Sequence, residues 1–239
     1  MIFKYKTNFI MTETRKQYVE KSIKMGKFYR NKDSVVVSRE YPNKEMTSEA
    51  EDKIYNKNHK DKPRKYYGIT NKLCKKYYPN PSCVLEVGSG SGYFAKKYIN
   101  CLKPKKYVAC DFCKMAILRM KKRIKMTENT KIQIKYKNIN DIRKIDLEKF
   151  DCVIALEVLE HVTKDLKFLS KINKGTWVFL SVPRIYGYNH VRAFLTPDSI
   201  CYRYRKLLNI YEIREDKRNI NFKSRHNYPL IWIAVGQKI

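Results

Sequence analysis

The stretch Val84-Leu85-Glu86-Val87-Gly88-Ser89-Gly90-Ser91-Gly92-Tyr93-Phe94-Ala95 constrains this chain more than any other. It reads as a short buried strand, a glycine-rich turn and the opening of a helix. Glycines at alternate positions let the backbone turn sharply and come close to a ligand, because no Cβ stands in the way. The helix predicted over Tyr93 to Leu102 points its first N–H groups into the same space. A dinucleotide loop, G-x-G-x-x-G, needs its third glycine at position 93, which is Tyr. The spacing present is Glu86-x-Gly88-x-Gly90-x-Gly92.

Further along, strand and helix patterns alternate. Tyr67, Ile69, Leu73 and Tyr77 have helical spacing, and Asn80-Pro81 ends that helix. Tyr107 to Cys110 is a buried strand ending at Asp111. An acidic residue at this distance beyond a glycine loop can take both ribose hydroxyls of a nucleoside. A basic amphipathic helix is predicted over Met115 to Met126, then a strand through Ile132, Ile134 and Tyr136. A buried strand runs to Leu156, with a helix expected shortly after it. Val178 to Ser181 is an apolar strand, and Thr196-Pro197 caps a helix. Ile210 to Ile213 and Leu230 to Val235 close the chain as two consecutive strands. The pattern predicts a doubly wound α/β fold, mostly parallel, with an antiparallel final hairpin.

Together, the glycine run, Asp111 and Glu157-Val158-Leu159-Glu160-His161 resemble the class I S-adenosylmethionine (SAM) dependent methyltransferases. The resemblance covers roughly Tyr66 to Ile239. It implies a Rossmann-like seven-stranded sheet and SAM as cofactor. It sets Glu86 by the methionine part, and Gly88, Ser89, Gly90 and Gly92 along the methionine and ribose. Asp111 falls at the ribose, Phe112 beside the adenine, and Glu157 near the cofactor. Many members carry Gly-Asp at the adenine amino group; here Lys137-Asn138 stands in that register and Asp141 three residues on. Asn138 is the preferred acceptor.

On a helix, Glu157, Glu160 and His161 share a face, and Glu with His can bind a divalent metal or act as acid and base. With His190, these residues resemble the metal-binding set of the small-RNA 3′-terminal 2′-O-methyltransferases. The quinone-biosynthesis O-methyltransferases carry a similar Glu-x-x-Glu-His. The implied metal ligands are Glu157, Glu160, His161 and His190, with an ion such as Mg. The implied catalytic residues are His161, Glu157 and His190. Without a metal, the Glu caps a helix and the His packs behind it. Arg192 is read as meeting a carboxylate or phosphate, or as pairing with a neighbour.

The formal net charge is +29, which attracts nucleic acid or an anionic surface. The lysines are spread along the chain, however, and the richness in Lys, Asn, Ile and Tyr is what AT-rich coding produces. The seven cysteines are odd in number, and several fall in predicted strands, as expected for reduced thiols in a cytoplasmic compartment. Cys110-Asp111-Phe112-Cys113 has no second pair at zinc-site spacing and is read as coincidence. No apolar run is long enough for a membrane span, and the first residues lack a signal-peptide core.

Two parts are expected: a polar extension over residues 1–62, partly flexible or lid-like, and a methyltransferase domain over 63–239. The extension carries a predicted helix over Thr12 to Lys27, a possible strand over Val35 to Val37 and a loop or weak helix over Thr47 to Lys62. Three readings of function follow. The first is methyl transfer to an oxygen of a small-molecule or unspecified acceptor. The second is a metal-dependent RNA 2′-O-methyltransferase. The third is a SAM-binding partner subunit without catalysis.

Overall fold

The computed structural model describes residues 13–39, 47–56, 62–125, 128–184, 189–216 and 231–239. In chain order the elements begin with α1 (Glu13–Lys24), β1 (Phe28–Arg30), β2 (Val36–Ser38) and α2 (Ser48–Asn56). Then come α3 (Tyr66–Tyr77), β3 (Cys83–Val87), α4 (Tyr93–Leu102), β4 (Lys106–Asp111), α5 (Lys114–Arg123) and β5 (Lys131–Tyr136). A 3₁₀ turn (Ile139–Asp141) leads to α6 (Lys144–Leu147), β6 (Cys152–Leu156), α7 (Asp165–Ser170) and β7 (Trp177–Pro183). The last elements are α8 (Pro197–Tyr204), β8 (Leu208–Glu215) and β9 (Ile231–Lys238).

Seven strands form one sheet in the order β5-β4-β3-β6-β7-β9-β8. The first five pair in parallel, and β9 runs antiparallel to both β7 and β8. The strands are apolar almost throughout because both faces are covered. Leu85, Val87, Val108, Val153, Ala155, Val178 and Leu180 point into one core. Their alternate neighbours Val84, Tyr107, Ala109, Ile154 and Phe179 point into the other. A buried side chain such as Phe179 stabilises the fold by about 1.5–3 kcal/mol over leaving it exposed.

Local signals place the helices. α4 opens on Gly92 at φ 81° and ends at Lys103, also left-handed at φ 46°, with Pro104 following. Pro197 opens α8 as expected, but the Thr196 side chain makes no capping bond. α5 ends at Arg123, short of the expected Met126, a residue outside those described.

One expectation fails here. No helix follows β6 at Glu157. Residues 157–164 form turns, and α7 starts only at Asp165. Glu157 itself adopts φ 57°, which a helix cannot continue. Of the two readings of 47–62, loop or weak helix, the helix is the one seen, as α2. β1 has no forecast counterpart in the sequence; it pairs with β2. Val19, Phe28 and Val36 of this first segment pack against Ala193 and Leu195 of the main domain. The basic stretch Arg214 to Asn227, which its position between the last two strands would carry toward the active site, lies mostly outside the described residues. No described helix is long and apolar enough to cross a membrane.

Candidate active site

Strand order changes direction between β3 and β6, and a cavity of about 390 Å³ opens beyond the carboxyl ends of β3, β4 and β6. This is where open α/β sheets hold ligands. Its floor is the turn between β3 and α4, contributed by Gly88, Ser89, Gly90 and Ser91. Gly88 has φ 63°, and a Cβ there would run into Val158 Cγ2. Glycine is required at this position both by conformation and by the close passage of the β6 loop. Gly92, expected along the cofactor, is not part of the cavity wall. Its missing Cβ faces α5, where it would meet Met120 Cγ at 2.6 Å, so this glycine serves helix packing.

Glu86 lines the cavity although only 2% exposed. Its Oε2 accepts a hydrogen bond from Tyr107 Oη at 2.9 Å. Burial raises its pKa to about 8, against the lowering effect of the Tyr107 and Ser89 hydrogen bonds. Such a carboxyl is held ready for a cationic partner that would draw it into the ionised form.

On the other side, Asp111 ends β4, and backbone groups hold its carboxylate at both oxygens. Gly90 N donates to Oδ2 at 2.8 Å and Cys113 N to Oδ1 at 2.9 Å. Each carboxylate oxygen can accept a further bond, which suits a vicinal diol. Phe112 and Asn138 line the same end. Asn138 Oδ1 already accepts from Asn140 N at 2.9 Å, capping the 3₁₀ turn. Asp141 is exposed and lies off the cavity wall.

The loop after β6 brings the expected catalytic residues to the cavity by a route other than a helix face. Among the described residues, one ligand atom each of Glu160, His161 and His190 lie within 4.8 Å of one another. The two imidazole rings meet edge to face with centroids 4.7 Å apart. His161 Nδ1 bonds the Asn189 carbonyl at 3.0 Å, and Val191 N donates to the Glu160 carbonyl at 2.8 Å. Glu157 stands outside this cluster. It lines the cavity, and its Oε1 accepts from Ser181 Oγ at 3.1 Å. The fourfold set read from the sequence therefore reduces to three, because the left-handed turn at Glu157 sends its side chain toward β7.

Arg192 anchors this arrangement from below. Its guanidinium is 2% exposed and donates to the carbonyls of Leu159 at 2.5 Å, Val162 at 2.6 Å and Thr163 at 3.2 Å. Asp165 stands 3.5 Å from it and also takes two bonds from Arg203, each 2.7 Å. Of the two readings of Arg192, the neighbour pairing is the one seen.

Several lining residues belong to no motif. Arg64, Tyr66 and Tyr67 stand at the Glu86 side. Tyr66 packs in the core and Tyr67 against it, and both also face the cavity. Burial pushes the Tyr67 hydroxyl up to about 12, with Glu86 adding to the shift. Glu51 and Tyr55 of α2 complete the opposite wall. Helical spacing could have flagged the tyrosine pair; nothing local marks Glu51.

A family model described as a methyltransferase domain matches residues 85–175. No curated protein matches the chain in sequence. Among solved structures, the chain is similar to 1,6-didemethyltoxoflavin-N1-methyltransferase of Burkholderia thailandensis with 1,6-didemethyltoxoflavin and S-adenosylhomocysteine bound. That match has 11% identity, covers 89% of this chain and 99% of that one, and has a TM-score of 0.61. N-methyltransferase NodS of Bradyrhizobium japonicum WM9 with S-adenosylhomocysteine matches at 17% identity over 75% and 89% of the two chains, TM-score 0.55. The methyltransferase domain of bacterial CtHen1-C matches at 16% identity over 72% and 95%, TM-score 0.52.

Proposed function

We propose, from the premise that this chain is a class I SAM-dependent methyltransferase, that it methylates an oxygen and that the acceptor hydroxyl enters beside Glu160, His161 and His190. The observation that carries this reading is the convergence of those three side chains at the cavity. A nitrogen nucleophile with a free lone pair needs no base. A hydroxyl must lose its proton, and this cluster supplies groups that can take it.

In this reading, Glu86 faces the cofactor's ammonium and Asp111 its ribose. Phe112 and Asn138 flank the adenine, and the turn at Gly88 to Gly90 lets the backbone approach the chain between them. The loop after β6 would then lie beside the methyl group that SAM supplies. Displacement breaks the sulfur–methyl bond as the oxygen–methyl bond forms. The cofactor leaves as S-adenosylhomocysteine, and the hydroxyl proton passes to an imidazole of His161 or His190. The protein contributes chiefly proximity and orientation. Glu157, bonded to Ser181, fixes the end of β6 and closes the cavity beside the reacting atoms.

The cluster's donor set fits a divalent ion. Two imidazole nitrogens and one carboxylate suit borderline metals such as Mn, Co or Zn better than Mg, which prefers an all-oxygen shell. Glu160, His161 and His190 would hold such an ion, which would lower the pKa of a bound hydroxyl.

The net charge of +29 favours a second reading, in which the hydroxyl belongs to RNA. One experiment separates the two. Methyl transfer from labelled SAM is measured into total RNA and into a small-metabolite extract, with and without EDTA. Label in RNA that EDTA abolishes selects the metal-dependent RNA reading. Label confined to small molecules selects the first. Methylated nitrogen in the product overturns both.

A further inference from the structure

α2 belongs to a segment with no sequence motif, yet it is fastened to the loop that carries Asp111. Ser48 Oγ donates to the Phe112 carbonyl at 2.7 Å. Asp52 Oδ1 accepts from the Met115 amide at 2.9 Å and from Cys113 Sγ at 2.8 Å, so it helps cap α5. Arg119 Nη2 donates to the Tyr55 carbonyl at 2.8 Å, and its guanidinium lies 5.9 Å from the Tyr55 ring centroid. These attachments turn one face of a nine-residue helix into the cavity.

Two polar side chains on that face are buried, Glu51 at 8% exposure and Tyr55 at 6%. The Tyr55 hydroxyl stands over the glycine turn, where a Cβ on Gly90 would lie 2.7 Å from Oη. The Gly90 amide in turn holds Asp111. The Tyr55 phenol is raised by burial, then by the carboxylates of Asp111 and Glu51, and so stays a neutral donor. Two carboxylates and a phenol gathered at one end of a cavity form an acceptor-rich pocket. The complementary ligand carries several neutral donors, as a ribose diol and an exocyclic amine do.

We propose that Glu51 and Tyr55 are cofactor-binding residues that hold the nucleoside half of SAM together with Asp111. The proposal rests on the methyltransferase reading and extends it. It makes α2 a wall of the cofactor site, so that affinity depends on residues outside the matched domain.

Calorimetric binding tests this on the full chain with two ligands. S-adenosylhomocysteine carries both halves of the cofactor, and 5′-methylthioadenosine keeps the nucleoside without the amino acid. Glu51→Gln and Tyr55→Phe are each expected to lose about tenfold or more on both ligands, as for a lost hydrogen bond to a charged or buried group. Asp52→Asn loosens α2 without touching the cavity and is expected to weaken both ligands too. It carries the test if either other variant fails to fold. Wild-type affinity in folded variants overturns the proposal while leaving the methyltransferase reading intact. A wild-type chain that binds neither ligand overturns both.

Discussion

Tyr107 on β4 donates its phenol hydrogen to Glu86 on β3 across 2.9 Å, with both side chains buried. Tyr107 stands opposite Val84 in the register, so Glu86 is its diagonal neighbour on the same face. A carboxyl in this position is fixed in direction before any ligand arrives. Its charge, however, is disfavoured until a cation enters.

The first expectation concerns pH. Burial raises Glu86 from 4.5 to about 8, so between those values the folded protein holds a proton that the unfolded chain has released. This contribution to stability is fully present below pH 4.5 and is lost as pH rises to about 8. Cofactor binding runs the other way, since the incoming ammonium favours the ionised carboxylate. Binding of S-adenosylhomocysteine should release close to one proton near pH 6.5, with affinity rising about tenfold per pH unit below 8. Calorimetry in buffers of different ionisation enthalpy reads the proton directly. Glu86→Gln should abolish the release.

The second concerns Arg192. Its three carbonyl contacts lie in the loop bearing Glu160 and His161. Arg192→Lys keeps the charge but loses the planar fork. It should cost about 1–3 kcal/mol of stability, as expected when buried carbonyls lose their donors. Well below its unfolding temperature, kcat should fall tenfold or more while S-adenosylhomocysteine affinity holds. A parallel loss of affinity would show a general loosening of the domain instead of a misdirected loop.

The third concerns the metal-type cluster. Glu160→Gln and His190→Asn should remove binding of Mn or Co measured by dialysis, and should lower methyl transfer at least a hundredfold. Cofactor affinity should be retained, because in the proposed reading these residues would face the acceptor. Full activity of both variants in EDTA would assign the cluster to structure alone.

The fourth concerns the floor of the cavity. Gly88→Ala places a methyl group against Val158 at a positive φ. The cost should be about 1–3 kcal/mol, combining backbone strain and overpacking. Adding Val158→Ala should recover the packing share but not the strain, as urea unfolding of the single and double variants would show.

Much of the sheet is legible in the sequence because parallel strands buried on both faces read as unbroken apolar runs. Cys152 to Leu156 and Tyr107 to Cys110 are such runs. α4 is legible to its ends, since Gly92 and Pro104 bracket it. The loop after β6 is not. Val158-Leu159-Glu160-His161 has good helical residues, yet hydrogen bonds from residues 189–192 and the left-handed Glu157 hold it as turns. Local propensity is overridden there by partners distant in the chain. The α2 wall was hidden for a related reason. A short helix with Ile54 and Tyr55 as its apolar anchors gives little periodic signal, and its docking depends on backbone groups of the Asp111 loop.

The position of β9 bears on how the chain is made. It lies between β7 and β8 and pairs with both along nearly its whole length. In order of synthesis, both neighbours are made before their shared partner. Until residues 231–238 are in place, the facing edges of β7 and β8 carry unpaired amides. Such edges accept any extended segment of matching pattern, including β9 of another nascent copy. Exchange of that strand between chains is thus the misassembly this topology most invites.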